Sequence, residues 1–434
     1  MSRRRRGVVA AALLACAIPS SSSAVGVVEC YGRPANVVGT EGADRLVGSL
    51  GDDVIVALGG DDVVHGRGGN DWICGGPDRD TLSGGPGDDH VYGQEGGDAL
   101  IEGFGDDVAA AGPDGLYGDL LTYASSRRAV TISLETHSTV MGPNRDTVRG
   151  FDSYYGTAYD DVLTGTDRRD SLYGGPGNDD IAGYGAQDYL RGDEGDDTIV
   201  GGEGPDDLEG GGGFDRLTDL QGDNVVSDLT LTGATGAAVL TGSGNDTVEV
   251  ESDEQAAEIT VSSGAGADRV YLSGLISTGR VLTGAGEDFI GMQLDAAGDL
   301  VVRGQRDDDV LGLAGAAPGA RQPTEVMAVG GQGTDNLVFS NIFGNVTLSL
   351  GAEGRLTAPV AMELPGFEAA QTGYGDDVIT GSPERNLILS ADGDDKIYGL
   401  GGDDVLDAGY GVDVVRGGIG LDRCIDAETQ FGCE

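Results

Sequence analysis

Residues 84–92 read Gly84-Gly85-Pro86-Gly87-Asp88-Asp89-His90-Val91-Tyr92, and the same frame returns at Gly174-Gly175-Pro176-Gly177-Asn178-Asp179-Asp180-Ile181-Ala182. Around the first copy an Asp recurs every nine residues, at Asp44, Asp53, Asp62, Asp71, Asp80, Asp89, Asp98 and Asp107. A second array runs Asp161, Asp170, Asp179, Asp188, Asp197, Asp206 and Asp215 and closes on Asn224. A third carries Asp377, Asn386, Asp395, Asp404, Asp413 and Asp422. In the first array an apolar residue follows each Asp by two positions, from Leu46 and Ile55 to Leu100 and Ala109. Gly precedes most of them by two. A disordered acidic tail has no reason to hold such a register.

Each nonapeptide reads as a turn followed by a short strand. Gly allows the left-handed backbone of a tight turn. Asp presents hard oxygen to a hard cation. The aliphatic residue sits on a strand and points inward. Two nonapeptides make a coil of about 18 residues, so turns on one edge stack at i and i+18.

The pattern resembles the RTX, or haemolysin-type, calcium-binding nonapeptide GGxGxDxUx. Local departures are Asp78 in a Gly slot and Asn224 and Asn386 in Asp slots. The resemblance implies an all-β fold: a parallel β-roll or β-solenoid of stacked nonapeptide turns, with longer β-helix-like coils in the middle. It implies Ca2+ between stacked turns, held by the Asp carboxylates of the three arrays and by backbone carbonyls. Asp44 would pair with Asp62, Asp53 with Asp71, and so on, for about 15 ions.

Composition agrees with a cation partner. Of 434 residues 80 are Gly; Asp plus Glu number 74 against 26 Lys plus Arg, giving a net charge of -48. Lys396 is the only lysine. Such a chain repels nucleic-acid phosphate and anionic lipid. Stacked carboxylates about 5 Å apart repel by roughly 1 kcal/mol per pair in water. Some fifteen pairs would then cost about as much as a typical folding free energy of ~5–15 kcal/mol. Calcium reverses that sign, which predicts folding coupled to calcium binding.

Residues 1–24 read as a secretory leader: Arg3 to Arg6, the apolar run Val8 to Ile18, then Ser22-Ser23-Ala24 as a small-x-small cleavage site. Leu13-Leu14-Ala15-Cys16 gives a weaker rival, a lipobox anchored through Cys16. The apolar run itself is too short to span a bilayer, and no second run approaches 18 residues. Export places the chain in an oxidising compartment. After Cys16 leaves, Cys30, Cys74, Cys424 and Cys433 allow three pairings. The economical one joins Cys30 to Cys74 and Cys424 to Cys433, one bridge at each end.

The chain then divides into an N-terminal cap (25–38), array 1 (39–110), a connecting module (111–160), array 2 (161–227), a slower solenoid (228–334), a second connecting module (335–376), array 3 (377–423) and a C-terminal cap (424–434). The modules are duplicates: residues 119–165 align without a gap to 335–381, with Asp119-Leu-Leu-Thr-Tyr123 against Asp335-Asn-Leu-Val-Phe339. Both are expected to continue the solenoid. Residues 228–334 place Asp246, Asp268, Asp288, Asp308 and Asp335 at wider steps, which predicts one ligand-bearing turn per coil and a plain turn on the opposite edge. At 18–20 residues per coil the mature chain would form about 20–22 coils.

The sequence offers no catalytic constellation. His65, His90 and His137 are scattered, with no HExxH helix and no GxSxG elbow. His65 and His90 read as solvent-facing, Trp72 as a surface or cap residue, and the tyrosines Tyr154, Tyr155, Tyr159, Tyr173, Tyr184 and Tyr189 as packing between coils. The expected function is a secreted calcium-binding repeat protein without an enzyme of its own. Two alternatives stay open: an RTX-bearing β-helix enzyme acting on polysaccharide, a lyase or epimerase, and a calcium-dependent surface adhesin. Its biological partner is not legible.

Overall fold

A computed structural model describes residues 27–113, 118–221, 224–231, 236–314, 325–340, 346–352, 354–358 and 362–433. The leader and Cys16 lie outside these. Every regular element among the described residues is a strand. The chain winds as a β-solenoid of about 19 turns, fewer than the 20–22 expected. The connecting modules account for much of the difference, because Asp119 and Asp152 are neighbours in the stack yet lie 33 residues apart.

Each coil lays one strand on each of two faces. On the first face Arg45–Val47 pairs in parallel with Val63–His65, and that strand with Thr81–Ser83. On the second, Val54–Val56 pairs with Trp72–Pro77, and that strand with His90–Glu95. The period of nine fixes this register. A shift by one residue would turn every inward Leu, Ile and Val to water. Ile55, Val64, Ile73, Leu82, Val91 and Leu100 follow one another through the core, all buried.

The connecting modules correct one expectation. They continue the solenoid, but not with parallel coils alone. Thr131–Ser133 stacks in parallel with Val162–Thr164, Ser138–Met141 returns antiparallel to it, and Asn144–Arg149 reverses again to meet Val108–Ala110 in parallel. The duplicate repeats the arrangement with Thr347–Ser349, Arg355–Ala358 and Met362–Glu363. Each module therefore lays three strands on the second face where an ordinary coil lays one. The gap-free alignment gives continuity, but alternating side chains do not encode strand direction.

Between 247 and 306 the strands Thr247–Ser262, Arg269–Ala285 and Phe289–Arg306 run from one face to the other without a break. The plain turn expected on the second edge is thus a strand that bends, with register shifts such as the one between Gly274 and Leu275.

Both ends are covered by short segments. The hairpin Glu29–Cys30/Arg33–Pro34 lies against the outer side of the second face, where Cys30 packs with Val56 and Cys74. The Cys30 and Cys74 sulfurs are placed together, with Cα atoms 5.7 Å apart, a separation disulfides use. The hairpin therefore flanks the first coils rather than closing their open end. Trp72 stacks on His90 at 4.1 Å, with the Arg33 guanidinium 4.0 Å from its ring centre. His90 is accordingly not solvent-facing: its ring is half-buried in this stack, and burial, then Arg33, holds its pKa below the usual value. At the other end Cys424 occupies the core slot in register with Leu406. Cys433 and Ala427 fold back onto the core, and the Cys433 sulfur meets that of Cys424. On the outer first face Tyr155 and Tyr173 stack at 4.6 Å. They pack between coils as the sequence suggested and Tyr154 is buried beneath, but Tyr159 and Tyr184 are exposed, against that expectation.

Candidate metal centre

The turns build acidic ladders along both edges of the solenoid. On the first edge the backbone N–H of Asp44 donates to Asp62 Oδ1 (2.7 Å), Asp62 to Asp80 (2.9 Å) and Asp80 to Asp98 (2.9 Å). The ladder resumes through Asp170, Asp188 and Asp206 to Asn224, and the third array adds Asn386, Asp404 and Asp422. On the second edge Asp53 donates to Asp71, Asp71 to Asp89 and Asp89 to Asp107, each at 2.8 Å. Asp161, Asp179, Asp197 and Asp215 continue it, as do Asp377, Asp395 and Asp413. The expected i, i+18 pairs are therefore brought together on both edges.

A second row, not singled out in the sequence, runs beside each ladder one residue earlier in the turn. Asn70 N–H donates to Asp52 Oδ1 (2.8 Å), Asp88 to Asn70 (3.0 Å) and Asp106 to Asp88 (3.0 Å). These bonds point from each coil to the one before, whereas the ladder bonds point to the one after. The Asp-Asp or Asn-Asp dipeptide clasps each coil in both directions. Its signal is the Asp or Asn at position five of the repeat.

One oxygen of each central carboxylate is thereby used, and the other is left over. Oδ2 of Asp62, Asp71, Asp80, Asp89, Asp98, Asp107, Asp179, Asp188, Asp197, Asp215, Asp309, Asp335, Asp404, Asp413 and Asp422 is buried without a hydrogen-bond partner. Native proteins rarely tolerate this, because a buried unpaired polar atom costs about 1–3 kcal/mol and more when charged. Each such oxygen lies over a residue five positions earlier, usually Gly. A Cβ on Gly66 would collide with the Asp71 carboxylate and the Gly84 carbonyl; one on Gly75 would meet Asp80 and the Gly93 carbonyl. Carboxylate from one turn and carbonyl from the next coil thus converge on a space that only Gly leaves open. Gly87, at φ 139°, also abuts the Gly69 carbonyl, so stacking leaves no room for a side chain there.

Among the described residues Arg191 pairs with Asp193 and Glu209, neither of which is a ladder carboxylate. Burial, opposed by the ladder hydrogen bond, pushes the carboxyls of Asp80, Asp89, Asp107, Asp179, Asp188, Asp197 and Asp309 up to about 7. Among the described residues no three His, Cys, Asp or Glu side chains converge on one point. A cation on this edge is therefore held by one or two carboxylates plus backbone carbonyls. All-oxygen donors of mixed type suit a hard, geometrically tolerant ion such as Ca2+.

Not every expected ligand is equivalent. Four begin an array and bond within their own turn. Asp44 accepts from the Thr40 N–H (2.6 Å) and hydroxyl (2.8 Å), and Asp53 from the Ser49 N–H (2.5 Å). Asp161 accepts from Thr157 and Asp170 from Thr166 in the same way. The Ser49 amide holds Asp53 below the usual carboxylate range. In the slower segment the ladder runs Asp246, Asp268, Asp288, Asp309, Asp335 along the first edge. Asp309 is the rung, correcting Asp308, which belongs to the outer row and accepts from Thr334. Asp119 was also missed; it receives the Asp98 N–H at 2.7 Å, 21 residues on. Hydroxyls here replace Gly: Thr241 donates to the Ser263 carbonyl, Ser263 to Thr283 and Thr283 to Gly304.

The family model described as RTX calcium-binding nonapeptide repeat (4 copies) matches residues 38–73, 75–109, 155–190, 183–217, 371–406 and 389–424. The chain carries RTX calcium-binding repeats, in the three arrays that the period of nine marks out, on a β-solenoid. No curated protein matches the chain.

Proposed function

We propose that this is a secreted, non-catalytic calcium-binding protein whose ladder aspartates hold Ca2+ between stacked turns and which folds as calcium is met on export. The observation that carries it is the row of buried Oδ2 atoms without donors, each opposite a turn carbonyl. The central aspartates of each array are the principal ligands, and the array-starting Asp44, Asp53, Asp161 and Asp170 are partly consumed by their own turns. The leader at 1–24 and the paired cysteines fit an extracellular destination, with Cys30–Cys74 and Cys424–Cys433 as disulfides that tie down the two ends. The non-catalytic reading is supported by the ladder, which accounts for the regularly spaced carboxylates of the arrays.

Calcium dependence is uneven along the chain. In 39–110, 161–227 and 377–422 both edges carry ladders. Between 228 and 334 the ladder occupies one edge, and the hydroxyl stack links its coils without an ion. Hydrogen exchange in excess chelator is expected to leave 228–334 protected while the three arrays exchange freely, and calcium should protect all four. The same peptides, digested without reductant, should contain Cys30 joined to Cys74 and Cys424 joined to Cys433. Equal loss across all four segments would show the middle to be part of the same calcium-driven unit.

A further inference from the structure

Gly, or in places Ala, Ser or Thr, lies under the ladder carboxylate in the described coils, and at one point a charged residue stands there instead. On the second edge successive coils place Gly48, Gly66 and Gly84 at that point, and the next places Glu102. Glu102 is 2% exposed, neither of its carboxylate oxygens accepts an N–H or hydroxyl, and its carboxyl lies within hydrogen-bond reach of that of Asp107, so the two share either a proton or a cation. Its closest charged neighbours are Asp107, whose Oδ2 also lacks a donor, and Asp146. Asp146 is fully engaged: Oδ1 accepts the Asp107 N–H (3.0 Å), and Oδ2 accepts the hydroxyls of Tyr123 and Thr139, each at 2.8 Å. Tyr123 and Thr139 are completely buried. Glu102 and Asp107 thus face each other in the interior, with Asp146 behind Asp107 and no Lys or Arg among them.

The connecting fold does not require this cluster. In the duplicated module the gap-free alignment puts Phe339 opposite Tyr123, Arg355 opposite Thr139 and Met362 opposite Asp146. The same three-strand meander forms there without the polar set. An uncompensated buried carboxylate is among the costliest groups a protein can hold. Space is available beside Glu102: a cavity of about 190 Å³ lies between the turns at Gly85 and Gly103 and the loop carrying Ser125 and Ser126.

We propose that Glu102 and Asp107 hold a divalent cation inside the solenoid, at the junction of array 1 and the first connecting module, with Asp146, Tyr123 and Thr139 fixing the position of Asp107 from behind. Water and backbone or Ser oxygens from the adjoining cavity complete the ligand set. Its donors are all oxygen, with no His or Cys, which selects Ca2+ over zinc. The site contributes two carboxylates where an ordinary rung contributes one over a bare Gly. It rests on the calcium reading of the arrays through Asp107, which it shares with the ladder. With two carboxylates where an ordinary rung has one, it should release its ion after the ladder sites do.

Native mass spectrometry of the full chain, saturated with calcium and then stepped through increasing chelator, tests this. Wild-type protein should carry one more Ca2+ at saturation than Glu102→Gln and Glu102→Gly, and should keep that ion to the highest chelator step. Glu102→Gly restores the residue of the neighbouring coils, so its folding is secured by the repeat itself. Equal counts in all three proteins, with the arrays loaded, overturn this site and leave the arrays standing. Equal counts together with higher stability of Glu102→Gln in calcium would identify Glu102 as a protonated carboxyl and likewise overturn it. No calcium on any of the three would sink the reading of the arrays as well.

Discussion

In excess chelator the three arrays should be unfolded at pH 8 and recover their sheet on acidification to pH 5. The ladder carboxyls have pKa values near 3.8 in the unfolded chain, and burial pushes Asp80, Asp89, Asp107, Asp179, Asp188, Asp197 and Asp309 up to about 7 in the metal-free fold. Asp215, Asp268 and Asp395 rise to about 6. Between those limits the native state binds more protons than the unfolded state, so stability falls as pH rises. The contribution is complete below about 4 and is lost as pH passes through 6 to 7. At pH 5 protons take the place of the cation and the repulsion along each ladder is relieved. Calcium inverts the profile. Binding expels the protons, so in millimolar calcium the fold should be stable at pH 8 and calcium affinity should weaken toward pH 5. Far-UV circular dichroism across pH 5 to 8, with calcium and with chelator, reads both limbs. A chelated protein more stable at pH 8 than at pH 5 would contradict the burial of these carboxyls.

Asp89→Asn should change stability in opposite directions with and without calcium. Asn keeps an Oδ1 to accept the Asp71 N–H, as Asn224 does for Asp206 in the native ladder. Only the charge is removed. In chelator the variant should recover its sheet at a higher pH than wild type, because one buried carboxylate no longer faces Asp71 and Asp107. In calcium it should be less stable by roughly 1–3 kcal/mol, the scale of a lost charged ligand contact. Asp53→Asn, in a turn already closed by Ser49, should show a much smaller reversal. Circular dichroism through a pH titration in chelator, and urea unfolding in calcium, give the comparison. Destabilisation of Asp89→Asn in chelator would show that the carboxylate serves the fold itself rather than a cation.

Much of this was legible because period nine is a strict geometric statement. It fixes strand register, the inward row from Ile55 to Leu100, and the two edges on which Asp can stack. What escaped lies where the period fails. Asp119 falls 21 residues after Asp98, so no count by nine finds it. Asp308 and Asp309 are adjacent carboxylates, and only the backbone shows that Asp309 faces the stack while Asp308 faces outward. The antiparallel returns at 138–141 and 355–358 share the alternation of parallel strands, which carries no sense of direction. His90 sits at an outward position, and its burial comes with stacking on Trp72, which Arg33 of the distant N-terminal hairpin covers. Glu102 occupies a Gly slot by one substitution, and its significance depends on Tyr123 and Asp146 arriving from beyond the array.

The central claim is that calcium converts mutually repelling carboxylate ladders into one continuous rod. Small-angle scattering at pH 8 through a calcium titration tests it most directly. With about 19 coils spaced near 4.8 Å, the account predicts an elongated particle on the order of 90 Å long in millimolar calcium. In chelator it predicts an expanded chain with at most a short ordered middle. The transition should fall near 0.1–1 mM calcium, the range of extracellular calcium modules. An identical rod with and without calcium, or a compact sphere in calcium, would contradict it.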